Sequence, residues 1–240
     1  MIPKIIHYCW FGQGKQSKVI RRCMRSWHKH LPGYRFVEWN ESNFDVNCNP
    51  FVAKAYAAKR YAFVADYARF YALEQLGGIY LDTDQLLLGP LDAFLDCDFF
   101  IGFENGEVLG AGIIGSLPGN PFCREVLRRY QAKDAFPAHP APLTYEITDL
   151  FFAHYDTLRR ENCRQSAQGV ALYSSDYFYP RDYYSQVLTK TEHTVAIHEY
   201  MASWMSKSQR RQRGRYAFFH RLWLYPWRLV RRILPSADKR

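Results

Sequence analysis

The run from Tyr61 to Leu88 constrains this chain more than any other segment. Tyr61 to Leu76 reads as a helix, and Gly77-Gly78 is a helix-stop signal. A short apolar strand, Ile79 to Leu81, follows at once, then the acidic turn Asp82-Thr83-Asp84, then more strand from Gln85 to Leu88. In open α/β sheets, ligands bind outside the carboxyl ends of strands. The two carboxylates of this turn therefore stand where a ligand is expected.

The rest of the chain continues the alternation. Ile2 to Tyr8 reads as a buried strand closed by the turn Gly12-Gln13-Gly14, and Ser17 is placed to cap a helix running to about Leu31. Tyr34 to Trp39 reads as a strand and Pro50 to Ala58 as a helix. Phe99 to Phe103 and Gly112 to Ser116 read as strands. Pro121 opens a helix to about Lys133, since proline is tolerated in a first turn. Pro137 to Pro142 is a loop, Thr144 to Tyr155 a helix, and Thr194 to His198 a late strand. Strands alternating with helices imply an α/β sandwich around a mostly parallel central sheet.

Two carboxylates two residues apart can share one hard divalent cation, Mn²⁺ or Mg²⁺, whose other positions stay open to diphosphate oxygens. A bound metal stabilises the negative charge that develops when a sugar leaves a nucleoside diphosphate. The bare tripeptide is common by chance and also reads as a solvated acidic turn. The context is more specific: Ala65, Asp66 and Arg69 on the helix, then Gly77-Gly78, Tyr80, Asp82 and Asp84. This A-x-D-x-x-R, helical run, G-G-x-Y-x-D-x-D pattern strongly resembles the DXD-motif glycosyltransferases. That family includes capsular-polysaccharide sugar transferases, fungal initiating mannosyltransferases and the glucosylating domains of large clostridial toxins.

The resemblance implies a GT-A fold, a nucleotide-sugar donor, a divalent metal, and transfer with retention at the anomeric carbon. Asp66 and Arg69 match donor-sugar contacts; three residues apart on a helix, they share one face, and a surface ion pair is the alternative. Asp82 matches the acid that contacts ribose and sugar, and Asp84 the direct metal ligand. The opening Pro3 to Gly12 resembles the family's first strand and turn. It offers Trp10 for stacking on the base, with a core tryptophan at a strand end as the equal alternative; His7 reads as a core histidine. Leu109 to Ser116 resembles the family's small-residue strand, with Gly110 or Ala111 near the place where many relatives carry Asn. Ala196 to Trp204 resembles the closing H-x-x-x-x-S-W. It implies His198 as a metal ligand, Ser203 and Trp204 as partners of metal or diphosphate, and Glu199 as a weaker second ligand. No catalytic base is implied, because the departing diphosphate is commonly thought to help deprotonate the acceptor.

Charge divides the chain near residue 206. Residues 1–206 carry 21 Lys and Arg against 22 Asp and Glu, whereas residues 207–240 carry 11 against one. On a helical wheel, Phe218, Phe219, Leu222, Trp223, Trp227, Leu229, Val230, Ile233 and Leu234 fall on one half; His220, Arg221, Arg228, Arg231 and Arg232 fall on the other with Tyr225, only Leu224 lies on the wrong side, and Pro226 kinks or splits the run. A catalytic domain over 1–206 and a basic amphipathic tail over 207–240 are expected. The tail is read as lying on an anionic membrane surface, with packing on the body as the alternative. No nucleic-acid module is recognisable.

The six cysteines form no C-x-x-C pair and are expected to be free thiols in a reducing cytoplasm. No leader peptide is expected, and no apolar run of spanning length occurs in these 240 residues. The reading is a retaining transferase moving a hexose-type sugar from a UDP- or GDP-sugar to a glycan or glycolipid acceptor. The acceptor is expected to be lipid-linked, in capsule or lipopolysaccharide synthesis at the cytoplasmic face of the membrane. A D-x-D phosphohydrolase and a non-enzymatic membrane-surface adaptor are the rivals. The first is disfavoured by the motif's distance from the N-terminus and by Leu86, where Thr or Val is usual.

Overall fold

The computed structural model describes residues 1–137 and 143–201 and, beyond these, only 211, 214 and 215. The cap expected at Ser17 forms, and Asn49 and Asn120 cap two further helices. Ser17 Oγ accepts a hydrogen bond from Ile20 N at 3.2 Å, Asn49 Oδ1 one from Val52 N at 3.0 Å, and Asn120 Oδ1 one from Phe122 N at 2.9 Å. Each satisfies an amide that has no partner within its helix. Pro50 and Pro121 occupy first-turn positions behind two of these caps.

The elements in chain order are β1 (Ile5–Cys9), α1 (Lys18–His30), β2 (Arg35–Trp39), α2 (Pro50–Ala57), α3 (Tyr61–Leu76), β3 (Gly78–Leu81) and β4 (Gln85–Leu87). A 3₁₀ turn at Asp92–Phe94 leads to β5 (Phe99–Asn105), β6 (Val108–Ser116), α4 (Pro121–Gln131), α5 (Leu143–His154), β7 (Gln165–Ala167), β8 (Val170–Tyr173), α6 (Ser175–Phe178) and β9 (Ala196–His198). The central sheet has seven strands in the order β2-β1-β3-β6-β5-β8-β7. β1, β2, β3, β5 and β8 run one way, and β6 and β7 run against them. The mostly parallel α/β sandwich expected of a GT-A fold is therefore present. A separate two-stranded ribbon pairs β4 with β9, with Gln85 opposite His198.

Alternation along the strands builds two cores. Ile6, Ile79, Leu81 and Ile113 face Trp27, Leu31, Leu87 and Phe94. Tyr80 and Ile114 face the other way, against a core that takes in Val64, Phe70 and Leu73 of α3, Phe122 of α4 and Phe151 of α5. The handover from α3 to β3 depends on two glycines. Gly77 has φ +60° and Gly78 φ +106°, and a Cβ on Gly78 would lie 2.6 Å from the carbonyl oxygen of Ile5. His7 locks the same junction: its Nε2 donates to Gly77 O at 2.7 Å, and its Nδ1 accepts from Trp39 Nε1 at 3.1 Å.

Several features differ from the expectation: β5 runs on to Asn105 and β6 begins at Val108 rather than Gly112. The first strand begins at Ile5 rather than Ile2, because the ladder to β2 opens only at Ile5–Arg35. The sequence pattern assigns no element to the stretch that forms β7, β8 and α6. The β7–β8 hairpin turns through Gln168 and Gly169, both at positive φ, so a left-handed turn carries a strand pair of weak apolar pattern. All six cysteines are free, and Cys9, Cys23 and Cys123 are buried. Among the described residues, no helix is long and apolar enough to cross a membrane. Apart from 211, 214 and 215, the tail expected over 207–240 lies outside the described residues, as does most of the Pro137–Pro142 loop.

Candidate active site

β3 delivers the acidic turn. Asp82 N donates to Gly112 O at 2.8 Å, and Gln85 N closes the turn onto Asp82 O at 2.9 Å. The Asp82 carboxylate accepts from Tyr80 Oη at 3.0 Å and lies 3.5 Å from Arg69 Nη2. Arg69 is the hub of this wall. Its Nη2 donates to Asp66 Oδ1 at 2.7 Å, its Nη1 donates to Ala111 O, and its guanidinium lies 4.7 Å from the Tyr80 ring centroid. Arg69 is only 5% exposed, so this is a buried, hydrogen-bonded charge network and not the exposed pair that helix spacing alone allows.

Asp84 is held on the other side. Its Oδ2 accepts from Met201 N at 2.8 Å, and its Oδ1 lies 3.1 Å from His198 Nε2. Glu199 N donates to the Asp84 carbonyl at 3.0 Å. The β4–β9 pairing creates these contacts, joining residues more than a hundred positions apart. Beyond the imidazole, His198 Nδ1 faces Glu104 Oε1 at 3.6 Å, an ion-pair distance too long for a hydrogen bond. Glu199 itself points away from the cluster, to Arg22 and to Arg181 at 3.3 Å.

The charges divide accordingly. Burial pushes Asp82 up, against the pull of Arg69 and with the repulsion of Asp84. Asp84 is pushed up by burial too, but the adjacent His198 and the Met201 amide outweigh it, and its carboxyl is held below the ordinary range. Burial would lower His198, yet Asp84 and Glu104 on its two sides raise it to about 10. Burial raises Asp66 to about 6 in spite of Arg69.

Asp82, Asp84 and His198 each offer one ligand atom, all within 4.8 Å of one another. Two carboxylate oxygens and an imidazole nitrogen suit a divalent ion of the Mn²⁺ type, with positions left for other oxygens. The space above them is kept by Gly112, where a Cβ would lie 2.8 Å from Gln85 Nε2 and 3.1 Å from Asp82 Oδ2. The donor set and the room around it fit a bound cation.

These residues line one cleft of about 550 Å³, together with Trp10, Asp66, Arg69 and Glu104. Trp10 is half-buried at its wall, with Nε1 donating to Gly14 O at 2.9 Å. His7 is a core residue, as expected: burial lowers it to about 4, the Arg35 charge adds to this, and the hydrogen bond to Gly77 O opposes it. Ser203 and Trp204 lie outside the described residues.

Sequence reasoning missed Glu104 and Tyr179. Tyr179 Oη accepts from Gly112 N at 3.0 Å and Ile113 N at 3.1 Å, and its ring packs edge-on to His198. No motif flags either residue; the crossing of β5, β6 and β9 brings them in.

Residues 17–100 match the family described as the glycosyltransferase sugar-binding region containing DXD motif. A glycosyltransferase of Acanthamoeba polyphaga mimivirus, itself uncharacterized, is 29% identical over 198 residues, 77% of this chain and 76% of that protein. Inositol phosphoceramide mannosyltransferase 3 of Schizosaccharomyces pombe is 28% identical over 158 residues, 63% of this chain and 44% of that protein. A mannosyl phosphorylinositol ceramide synthase of Saccharomyces cerevisiae is 25% identical over 132 residues, covering 53% and 35%. The chain thus spans about three quarters of the viral relative and less than half of these fungal ones. Among solved structures, the PaToxG glycosyltransferase aligns with a TM-score of 0.49 at 18% identity, over 65% of this chain and 70% of that one. A glycosyltransferase involved in glycosylation of the major capsid of PBCV-1 aligns at 0.47 and 11% identity, over 88% and 98%. The matched segment holds Asp66, Arg69, Asp82 and Asp84, so the part of the chain that carries the acidic turn is the part similar to the DXD-motif glycosyltransferases.

Proposed function

We propose that this protein is a metal-dependent retaining glycosyltransferase that moves a hexose-type sugar from a UDP- or GDP-sugar to a lipid-linked glycan acceptor. The carrying observation is the convergence of Asp82, Asp84 and His198 at the floor of one cleft. Asp84 and His198 would hold Mn²⁺ or Mg²⁺, and the ion would supply positive charge to the departing diphosphate. Asp82, fixed by Tyr80 and Arg69, would face the ribose and sugar. Asp66 and Arg69 would bind the donor sugar, Trp10 would stack on the base, and Ser203 with Trp204 would reach the diphosphate.

Two observations favour a lipid-linked acceptor. The fungal relatives are named for a sugar transfer to a ceramide lipid. The basic tail, residues 207–240, has the composition of a segment lying on an anionic membrane. The reading places the protein on the cytoplasmic face of the membrane, in capsule or lipopolysaccharide synthesis, with residues 1–206 as its catalytic domain.

The test is a thermal-shift and donor-hydrolysis screen of UDP- and GDP-sugars with Mn²⁺, since a ligand of the native state raises apparent stability. One nucleotide sugar should stabilise the protein only with metal, and Asp84→Asn should abolish both effects while the fold survives. Full hydrolysis by Asp84→Asn, or turnover of simple phosphate esters in place of nucleotide sugars, would overturn the reading.

A further inference from the structure

Helix α1 carries a face that the site does not use. Lys18, Arg21, Arg22, Arg25 and Lys29 recur at spacings of three and four, so they stand on one side of the helix. All five are exposed, while Cys23 and Trp27 opposite them are buried. Lys15 adds an exposed cation just ahead of the helix. No acidic residue precedes Glu38, whereas eight Lys and Arg residues do. Among the described residues, only Arg22 of the five pairs with an acid, Glu199; Arg21 donates to the carbonyl of Gln16. Because residues 1–206 are nearly balanced in charge, this row is a local concentration and not a by-product of a basic body.

The row is fixed relative to the cleft. Gly14, Lys15 and Ile20 line the cleft at the leading end of α1. Trp27 Nε1 donates to Gln85 O at 2.6 Å, and Ser26 Oγ accepts from Leu87 N at 2.9 Å. These bonds tie α1 to β4, which leaves the acidic turn directly after Asp84. A 13-residue helix is about 20 Å long, so the cations form a straight bar beside the donor site.

We propose that this face of α1 docks the protein on an anionic lipid surface, with the mouth of the cleft at the edge of the contact. Docked in this way, the enzyme meets an acceptor carried by the lipid layer. A lipid surface suits the row better than nucleic acid, because no Trp, Tyr or Phe is exposed on α1 to stack on bases. The purpose of the contact rests on the lipid-linked acceptor proposed above; its geometry does not. It is also separate from the tail, and acts through residues more than 170 positions away from it.

The 240-residue chain is titrated with phosphatidylcholine vesicles, with and without phosphatidylglycerol, and with single-stranded RNA. The unaltered chain should partition onto phosphatidylglycerol vesicles, more weakly at high salt. Each cation near an anionic surface contributes about fivefold. Replacing Lys18, Arg21, Arg25 and Lys29 together by Gln should therefore weaken partition by roughly 600-fold. Glutamine keeps helix propensity, and a charge-conserving set, Lys18→Arg, Arg21→Lys, Arg25→Lys and Lys29→Arg, should bind as the parent does. Unchanged binding of the four-Gln variant would overturn the proposal. So would equal loss in the charge-conserving set, or binding of RNA without binding of vesicles. Mn²⁺-dependent donor hydrolysis, run in parallel, should be the same in all three proteins. Its absence from the parent would sink the enzyme reading and leave the docking result standing.

Discussion

Acidification probes the junction that delivers the acidic turn. His7 is fully buried and uses both ring nitrogens as a neutral imidazole, donating to Gly77 O and accepting from Trp39. A second proton would have to displace the Trp39 bond. Burial is the main reason that its pKa falls from 6.5 to about 4. Because the folded value lies below the unfolded one, the unfolded chain takes up the proton first. The contribution of His7 is therefore complete above about pH 6.5 and is lost as pH falls towards 4. At about 1.4 kcal/mol per pKa unit, the loss reaches about 2.5 kcal/mol by pH 4.5. Asp66 works in the opposite direction. Its folded pKa is raised to about 6, so the folded state keeps a proton that the unfolded chain releases, and folding gains as pH falls through that window. A single pH–stability curve would blur the two. Urea unfolding of the parent and of His7→Gln at pH 7.5 and 4.5 separates them. The variant should be less stable at pH 7.5, and the gap should shrink by about 2–3 kcal/mol at pH 4.5. A gap that stays constant would refute the claim that a neutral, buried His7 locks β1 to the Gly77 turn.

Two further perturbations address the network and the space beside the acidic turn. Arg69→Met leaves Asp66 and Asp82 without their shared cation and should destabilise the fold by about 3–5 kcal/mol. Adding Asp66→Asn should restore part of this, and strict additivity of the two changes in urea unfolding would count against a coupled network. Gly112→Ala places a Cβ 2.8 Å from Gln85 Nε2 and 3.1 Å from Asp82 Oδ2. It should lower Mn²⁺-dependent donor hydrolysis by about tenfold or more, equivalent to about 1.4 kcal/mol; parent-level turnover would show that the space is not used.

The segments most legible in the sequence are those where one residue type is physically required. The α3–β3 handover was readable almost to the residue because positive φ and the closeness of Ile5 O exclude a side chain at Gly78. The cap at Ser17 was readable from the same kind of local chemistry, which also forms the caps at Asn49 and Asn120 that the sequence reading did not name. β7 and β8 escaped because Gln165-Ser166-Ala167 has little strand character, and their only strong sign was the Gln168-Gly169 turn. Glu104 escaped for a different reason. It lies where the β5–β6 register shifts between Phe103 and Asn105, and it meets His198 only because β9 returns beside β4. Such a neighbour is a product of topology, and no local pattern encodes it.

The acidic turn itself shows why two chemically identical side chains, two residues apart, need not share one task. Asp82 is bound into the α3 wall by Arg69 and the Tyr80 hydroxyl, so its charge is already answered by a fixed cation. Asp84 is answered by a backbone amide and an imidazole on β9, and the imidazole can exchange its proton for a metal ion whereas a guanidinium cannot. The shifts follow this division, upward for Asp82 and downward for Asp84. A cation arriving between them would find its strongest exchangeable partners at Asp84 and His198. Asp82 would stay tethered to the wall that also holds Asp66 and Arg69. The proposed roles, metal at the β4–β9 ribbon and donor sugar at α3, agree with which element secures each carboxylate.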